Sequence, residues 1–326
     1  MPFVTLEPMN TKPMLVAAFE MGGTKIVCGI GNGEHEVLES HRIDTTTPDL
    51  TLHHMSRWLF EMQAAHGPVA AIGIGSFGPV DLNPESETHG YITSTPKLGW
   101  QQNDLLGFFR NRFRVPIGLD TDVNAAVLAE HLWGAGQSLD PLIYITVGTG
   151  VGGGILVNGQ LVHGMLHPEI GHLNVPPPIN SRALHPECQC PFHRSCLEGY
   201  VSGSAIAKRW GAPAQKALQD EPTQSEIADL MAQALMNLTL TLAPQRIILG
   251  GGVMQQTQLL PLIRSRLIYH LNGYLRIPQL GPGIDAFIVA PGLGTCSGLL
   301  GSLALGLRAL GQNHPATSHA QPSEVN

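Results

Sequence analysis

The chain has 326 residues, of which 13% are charged and 43% hydrophobic, and its formal net charge is −7. That length can bury a sizeable core and suits two lobes, while the sparse, acidic charge excludes the basic field that nucleic acid or an anionic membrane would need. No basic stretch followed by a long apolar one opens the chain and no apolar run reaches transmembrane length, so a cytoplasmic protein with a small-molecule partner is expected.

Residues 1–13 and 312–326, rich in Pro, Ser, Thr and His, read as flexible ends. Between them, "LVAAFEMGGTKIVCGIGNGEHEVLESHRI" reads as strand, Gly-rich turn, strand, Asn-Gly turn, strand. A helix near Leu52 to Ala65, the strand "VAAIGIGSF" and a helix near Asn103 to Phe113 follow. The segment "PIGLDTDVNAAVLAEHLWGAG" then starts as a strand and becomes a helix. The opening pattern recurs in "LIYITVGTGVGGGILVNGQLVHG". After it come helices near Leu197 to Trp210, Gln224 to Leu242 and Gln256 to Leu271, the strands "RIILGGG" and "DAFIVA", and a last helix from Ser297 to Leu310. Two meanders with glycine at the first turn and Asn-Gly at the second point to a duplicated α/β domain.

The glycine-rich turns narrow the choice of nucleotide-binding modes. "GTGVGG" at 148–153 and "GIGSFG" at 73–78 both match G-x-G-x-x-G, yet neither leads into a helix, so the dinucleotide fingerprint lacks its context. No G-x-x-x-x-G-K-[ST] occurs, which excludes a Walker A loop. What remains is a pair of β-turns whose backbone N–H groups can cradle phosphates, the first adding Thr24, Lys25 and the acidic Glu20.

Three of the five cysteines fall in "HPECQCPFHRSCLEGY". Cys190, His193 and Cys196 stand three apart in succession, so that one tight loop can aim three soft ligands at a point, and His172 in "EIGH" is the candidate fourth ligand of a structural zinc. Cys188 is a rival ligand. Pro186 and Pro191 keep the segment out of helix and sheet, leaving the metal to order it. Glu169 and Glu198 flank the ligands on either side.

The ordered motifs "EMGGTK", "STPKLGW", "DTDVNAA", "VGTGVGGG", "PEIGH", "CPFHRSCLEG" and "ILGGGV" resemble the ROK family of sugar kinases, within the actin-like ATPase superfamily, over about residues 14 to 310. Cys-Pro-aromatic-His with Cys three residues on, then Leu-Glu-Gly, and "TSTPK" with "GW", resemble the fructokinase branch. Cys188 and Cys190 imitate the start of the Cys-x-Cys-Gly pattern of the glucokinase branch, from which Pro191 and His193 depart.

The resemblance implies an α/β fold of two actin-like (ribonuclease H-like) lobes. The first would span 14–132 and be completed by the last helix, 297–311; the second, 133–296, would carry the zinc loop. It further implies an ATP-dependent hexose kinase of the fructokinase type that uses Mg²⁺ and a structural zinc. Asp122 would be the general base, although local sequence alone also allows Asp122 to be the N-cap of its helix, with Asp120 or Thr121 as rivals. By the same resemblance Gly22, Gly23, Thr24 and Lys25 form the first phosphate loop and Thr146, Gly148, Thr149 and Gly150 the second. Glu20 would hold Mg²⁺ through water, in a position where the superfamily usually has Asp. Gly250, Gly251 and Gly252 would form the adenosine motif, with Ser204 lining the nucleotide site where fructokinases carry proline. Glu169, His172 and Glu198 would bind sugar hydroxyls, with Asn124 and Lys97 as contacts from the other lobe. A homodimer is expected by family habit. The alternatives are a mannokinase or glucokinase, or a sugar-sensing repressor, which would carry a helix-turn-helix ahead of the first phosphate loop where only residues 1–13 stand here. A zinc-ribbon binding module is disfavoured by the acidic charge and the lone cluster.

Overall fold

The computed structural model describes residues 14–33 and 35–313. In the first half β1 (Val16–Met21), β2 (Lys25–Gly31) and β3 (Val37–Asp44) precede α1 (Pro48–His66) and β4 (Ala71–Ser76). The short pair β5 (Tyr91–Ile92) and β6 (Asn103–Asp104), then α2 (Leu105–Arg110), β7 (Ile117–Thr121) and α3 (Asp122–Trp133), complete it. The second half opens with β8 (Leu142–Val147), β9 (Val151–Val157) and β10 (Gln160–Leu161). It continues through α4 (Leu197–Val201), α5 (Gly203–Trp210), α6 (Ala214–Ala217), α7 (Glu221–Leu242), β11 (Arg246–Gly250), α8 (Leu259–Leu271), α9 (Ile284–Phe287), β12 (Ile288–Val289) and α10 (Ser297–Asn313).

The two meanders head two mixed sheets of one strand order, β3-β2-β1-β4-β7 and β10-β9-β8-β11-β12. In each, the first strand pairs antiparallel with the second and parallel with the strand that follows the meander. Central strands such as β1 and β4 are buried on both faces, which is why they read as continuous apolar runs, whereas the edge strand β3 is exposed and charged.

Helix α3 is apolar almost all round because it is covered almost all round. A Cβ on Gly154 of β9 would lie 2.2 Å from Val123 O, and one on Gly301 of α10 would lie 2.0 Å from Ala125 O. Only glycine permits those approaches, and they pin α3 between the second sheet and the last helix. Helix α10 in turn lies on the first sheet: Leu299, Leu300 and Leu303 pack with Val16, Ala18 and Ala71. Asp122, at the first position of α3, is thereby fixed between the two sheets.

Several boundaries differ from the sequence expectation. The run 197–210 is two helices, broken at Ser202 (φ −62°, ψ 153°), whose hydroxyl accepts from Ala205 N at 3.1 Å and caps α5. "DAFIVA" supplies only the two strand residues of β12, with α9 in front, and the predicted helix near Asn103 starts at Leu105 because Asn103 and Asp104 pair with β5. The first helix starts at Pro48, earlier than Leu52, since Pro suits the opening turn. Residues 312 and 313 are the end of α10, while 1–13 and 314–326 lie outside the described residues. Among the described residues no helix is long and apolar enough to cross a membrane.

Candidate active site

The turn between β1 and β2 carries Gly22, Gly23, Thr24 and Lys25. Gly22 N donates to Lys25 O at 2.9 Å, and Thr45 holds the turn from outside, its N on Thr24 O at 3.0 Å and its hydroxyl on Gly22 O at 2.9 Å. A Cβ on Gly23 would meet nothing within 4 Å, so this face of the loop opens away from the protein. Lys97 reaches across from the "STPKLGW" segment and its ammonium donates to Gly23 O. Burial pulls its pKa below the ordinary lysine value. Lys97 therefore stands at the first loop. Glu20, near the end of β1, lies partly buried, and burial raises its pKa against the pull of Lys25 and Arg42.

Asp122 follows β7 directly. Thr121 is the N-cap of α3, accepting from Asn124 N at 3.1 Å, so the cap is filled by a neighbour and the Asp122 carboxylate is left with one local bond, Val123 N at 2.9 Å. Burial, then the charge of Glu20 and more weakly that of Glu169, push Asp122 up to about 7. Carboxylates from both halves of the chain thus converge on one place: Glu20 and Asp122 from the first, Glu169 from the second.

The second glycine turn joins β8 to β9. Gly148 N donates to Gly150 O at 2.9 Å, Gly203 N to Gly148 O at 2.7 Å, and Ser204 Oγ to Thr149 O at 2.7 Å, so the start of α5 braces this loop. Thr146 is at the end of β8, beside Gly250 of β11. Gly251 has φ +92°, and a Cβ there would sit 2.4 Å from Val147 O. Glycine is required on both counts, and the turn of Gly250, Gly251 and Gly252 is pressed against the strand that leads into the second loop.

Glu169 precedes a short 3₁₀ turn, Ile170–His172, and its carbonyl accepts from His172 N at 3.0 Å. Burial and the neighbouring Glu198 push its carboxyl up to about 7. Glu198, in the first turn of α4, accepts from Val151 N at 2.8 Å, which ties it to the second glycine loop. Beside both lies a cluster of His172, Cys190, His193 and Cys196 whose ligand atoms all fall within 4.8 Å of one another. Cys190 Sγ is 3.4 Å from His193 Nδ1 and 3.9 Å from His172 Nδ1, and Cys196 Sγ is 3.8 Å from His172 Nδ1. The edge of a tetrahedral zinc site between S and N is about 3.6 Å, so the set fits that ion. Cys188 Sγ is outside these four atoms, 4.0 Å from Cys196 Sγ and against the Gly199 backbone.

Asn124 is fully buried, its Nδ2 on Asp120 Oδ1 at 2.7 Å and 3.3 Å from His163 Nε2. His163 in turn pairs with Asp120 Oδ2 at 2.9 Å, which raises its pKa. Asn124 is thus held in an internal polar group, although its Oδ1 has no protein partner. His163 and His167 were not expected at the site. Their only signal was the density of histidine in "HGMLHPEIGH", three in ten residues.

A model of the ROK family matches residues 16–309. The chain is 42% identical over 299 residues to a fructokinase of Pediococcus pentosaceus, covering 91% of this chain and 99% of that protein. It is 38% identical to a fructokinase of Zymomonas mobilis, covering 92% and 99%. Among solved structures, a ROK family glucokinase from Streptomyces griseus in complex with glucose and AMPPNP superposes with a TM-score of 0.73 at 26% identity, covering 90% of this chain and 99% of that one. With its two mixed sheets and a match that runs from β1 into α10, this chain belongs to the ROK family.

Proposed function

We propose that the protein is an ATP-dependent hexose kinase that converts fructose and ATP to fructose 6-phosphate and ADP. The carrying observation is Asp122: a buried carboxylate relieved of capping by Thr121, where the charges of Glu20 from the first half and Glu169 from the second both reach it. Fructokinases similar over nine-tenths of the chain support the sugar. In this reading residues 14–132 with α10 form one actin-like lobe and 133–296 the other. Asp122 accepts the proton of the attacking hydroxyl. The Gly22–Lys25 and Thr146–Gly150 turns hold the phosphates with backbone N–H groups, and Lys97, already on the first turn, adds its charge there. Gly250, Gly251, Gly252 and Ser204 surround the adenosine. Glu169, Glu198 and the outer nitrogen of His172 bind sugar hydroxyls, while Asn124 shapes the site from within its polar group. Parallel assays of ADP release with fructose, mannose and glucose test the proposal. A clear preference for fructose in kcat/KM is expected; preference for an aldohexose would keep the kinase and discard the sugar, and no transfer would leave a sensing protein.

Glu20 and Asp122, both raised by burial and the second raised further by the charge of the first, form a donor set that a hard divalent cation relieves. Glu20 would hold Mg²⁺ through water, and the ion would supply charge against the phosphates. The sign for pH follows. A base must be ionised, so kcat/KM for fructose rises with pH through the Asp122 titration and levels above it, with the limb near 7 at low Mg²⁺. Raising Mg²⁺ is expected to move that limb to lower pH; a limb that does not respond would separate Glu20 from the metal.

The Cys/His group fits zinc, which would supply structural cross-linking. His172 lies three residues after Glu169 and Cys196 two before Glu198, so the cluster fixes the two segments that carry the sugar carboxylates. Cys190→Ser is expected to lose bound zinc and melting temperature together, and Cys188→Ser to retain both. Metal analysis beside thermal melts reads this, and the opposite pattern would move the ligand to Cys188. A cytoplasmic homodimer belongs to the same proposal, with light scattering as its check on assembly.

A further inference from the structure

His167 is outside every role assigned so far. Its ring is buried, with 3% of the side chain exposed, and it lies in the second half between β10 and the 3₁₀ turn that Glu169 precedes. Its Nε2 is 3.1 Å from Val80 N, in the first half. A backbone N–H can only donate, so Nε2 is the acceptor and the neutral ring carries its proton on Nδ1. That Nδ1 is 3.5 Å from Glu169 Oε1 and 3.5 Å from Pro168 O. The contact to Glu169 is at the long end of hydrogen-bond distance, and contacts of this kind in catalytic sites tighten when substrate binds.

The ring is seated for this task. A Cβ on Gly78 would come within 3.1 Å of His167 Cε1 and 3.3 Å of Nε2, so glycine at 78 clears the space for the imidazole to lie over the 78–80 backbone. On the far side, Pro79 O accepts from Thr93 N at 2.8 Å and Thr93 Oγ1 at 3.2 Å. Thr93 opens the segment that carries Lys97. One imidazole therefore connects the segment ending at the first glycine loop with the carboxylate of Glu169.

We propose that His167, as the Nδ1–H tautomer, is a positioning residue that spans the two halves of the chain and aims Glu169 at the sugar. The role in sugar binding rests on the kinase reading above; the bridge itself rests on geometry alone. His167→Ala is expected to raise KM for fructose about tenfold or more. It should leave kcat within about threefold and KM for Mg-ATP within about twofold. His167→Asn keeps an N–H donor near the Nδ1 position and is expected to recover part of the loss. His167→Gln keeps only the acceptor near Nε2, so it should restore melting temperature while its KM stays high. A fall in melting temperature with fructose KM unchanged in His167→Ala, or a wild-type KM in His167→Gln, would overturn the positioning role.

Nitrogen-15 shifts of the imidazole, assigned by comparison with His167→Gln, read the tautomer without turnover. A protonated Nδ1 and bare Nε2 support the bridge, and a protonated Nε2 overturns it even in an active kinase. If wild type transfers phosphate to no hexose, the kinase reading falls and the sugar role of His167 with it, while the tautomer measurement still decides the bridge.

Discussion

Replacing Asp122 with asparagine is expected to lower kcat by about 100- to 10,000-fold, or about 3–5.5 kcal/mol in barrier, while fructose still binds. The amide has the shape of the carboxyl group and can keep accepting from Val123 N, and Thr121 keeps capping α3, so the helix start is preserved. What is lost is the lone pair basic enough to take a hydroxyl proton. The variant also carries a second signature. Asp122 is held far above the ordinary aspartate value of about 3.9, mainly by burial and then by Glu20. A folded-state pKa raised this way gives a contribution to stability that is complete below the unfolded value and lost as pH rises through about 7. Asparagine has no charge to lose, so the ligand-free variant should melt above wild type at pH 8, with the gap closing toward pH 4. Turnover near wild type would dismiss Asp122 as the base. An inactive variant that melts with wild type at pH 8 would instead remove the electrostatic account of its environment.

How much of this was legible in the sequence depended on how local each feature is. The glycine turns show themselves within a few residues, because strand, glycine and strand follow one another, and both turned out to join antiparallel neighbours of matching sheets. The Cys/His group was legible because three of its four members share one seven-residue stretch. Helix α3 was legible as a helix but not as the element clamped between a sheet and α10, since the glycines that make room for it, Gly154 and Gly301, are distant in sequence. Lys97 illustrates the limit. The resemblance offered it as a sugar contact, and only the fold shows that its ammonium rests on a carbonyl 74 residues away, in the first glycine turn. Asn124 was expected as a sugar contact from the first lobe; Asp120 and His163 hold its amide nitrogen instead. Thr121 beat Asp122 and Asp120 to the cap through side-chain geometry that no composition rule distinguishes.

Glu130 carries no motif or spacing that would single it out, yet its loss should cost the most stability. It is fully buried on α3, forms no salt bridge among the described residues, and has its two oxygens solvated by four donors instead. Ala135 N and Gly292 N reach Oε2 at 2.7 and 3.0 Å, and Leu293 N and Ser297 Oγ reach Oε1 at 3.1 and 2.7 Å. Those donors sit on the two stretches by which the chain crosses between its sheets: Ala135 on the way from α3 to β8, and Gly292, Leu293 and Ser297 on the way from β12 to α10. One side chain thus fastens both crossings to the helix that carries Asp122. Alanine in its place would leave three backbone N–H groups without an acceptor in a buried space, and the Ser297 hydroxyl with only Gly294 O at 3.4 Å. Hydrogen bonds to charged groups are the strong ones, and an orphaned buried donor costs its full desolvation, so a loss of about 3–5 kcal/mol is expected in urea unfolding. Glutamine preserves volume but turns an NH₂ toward donors, and should still cost about 2–3 kcal/mol. Had the role been mere space-filling, glutamine would match wild type, and a change under about 1 kcal/mol in both variants would remove Glu130 as the fastening point. Because the donors lie on the crossings and not in either sheet's core, the expected loss is accompanied by a drop in kcat at temperatures where both variants remain folded.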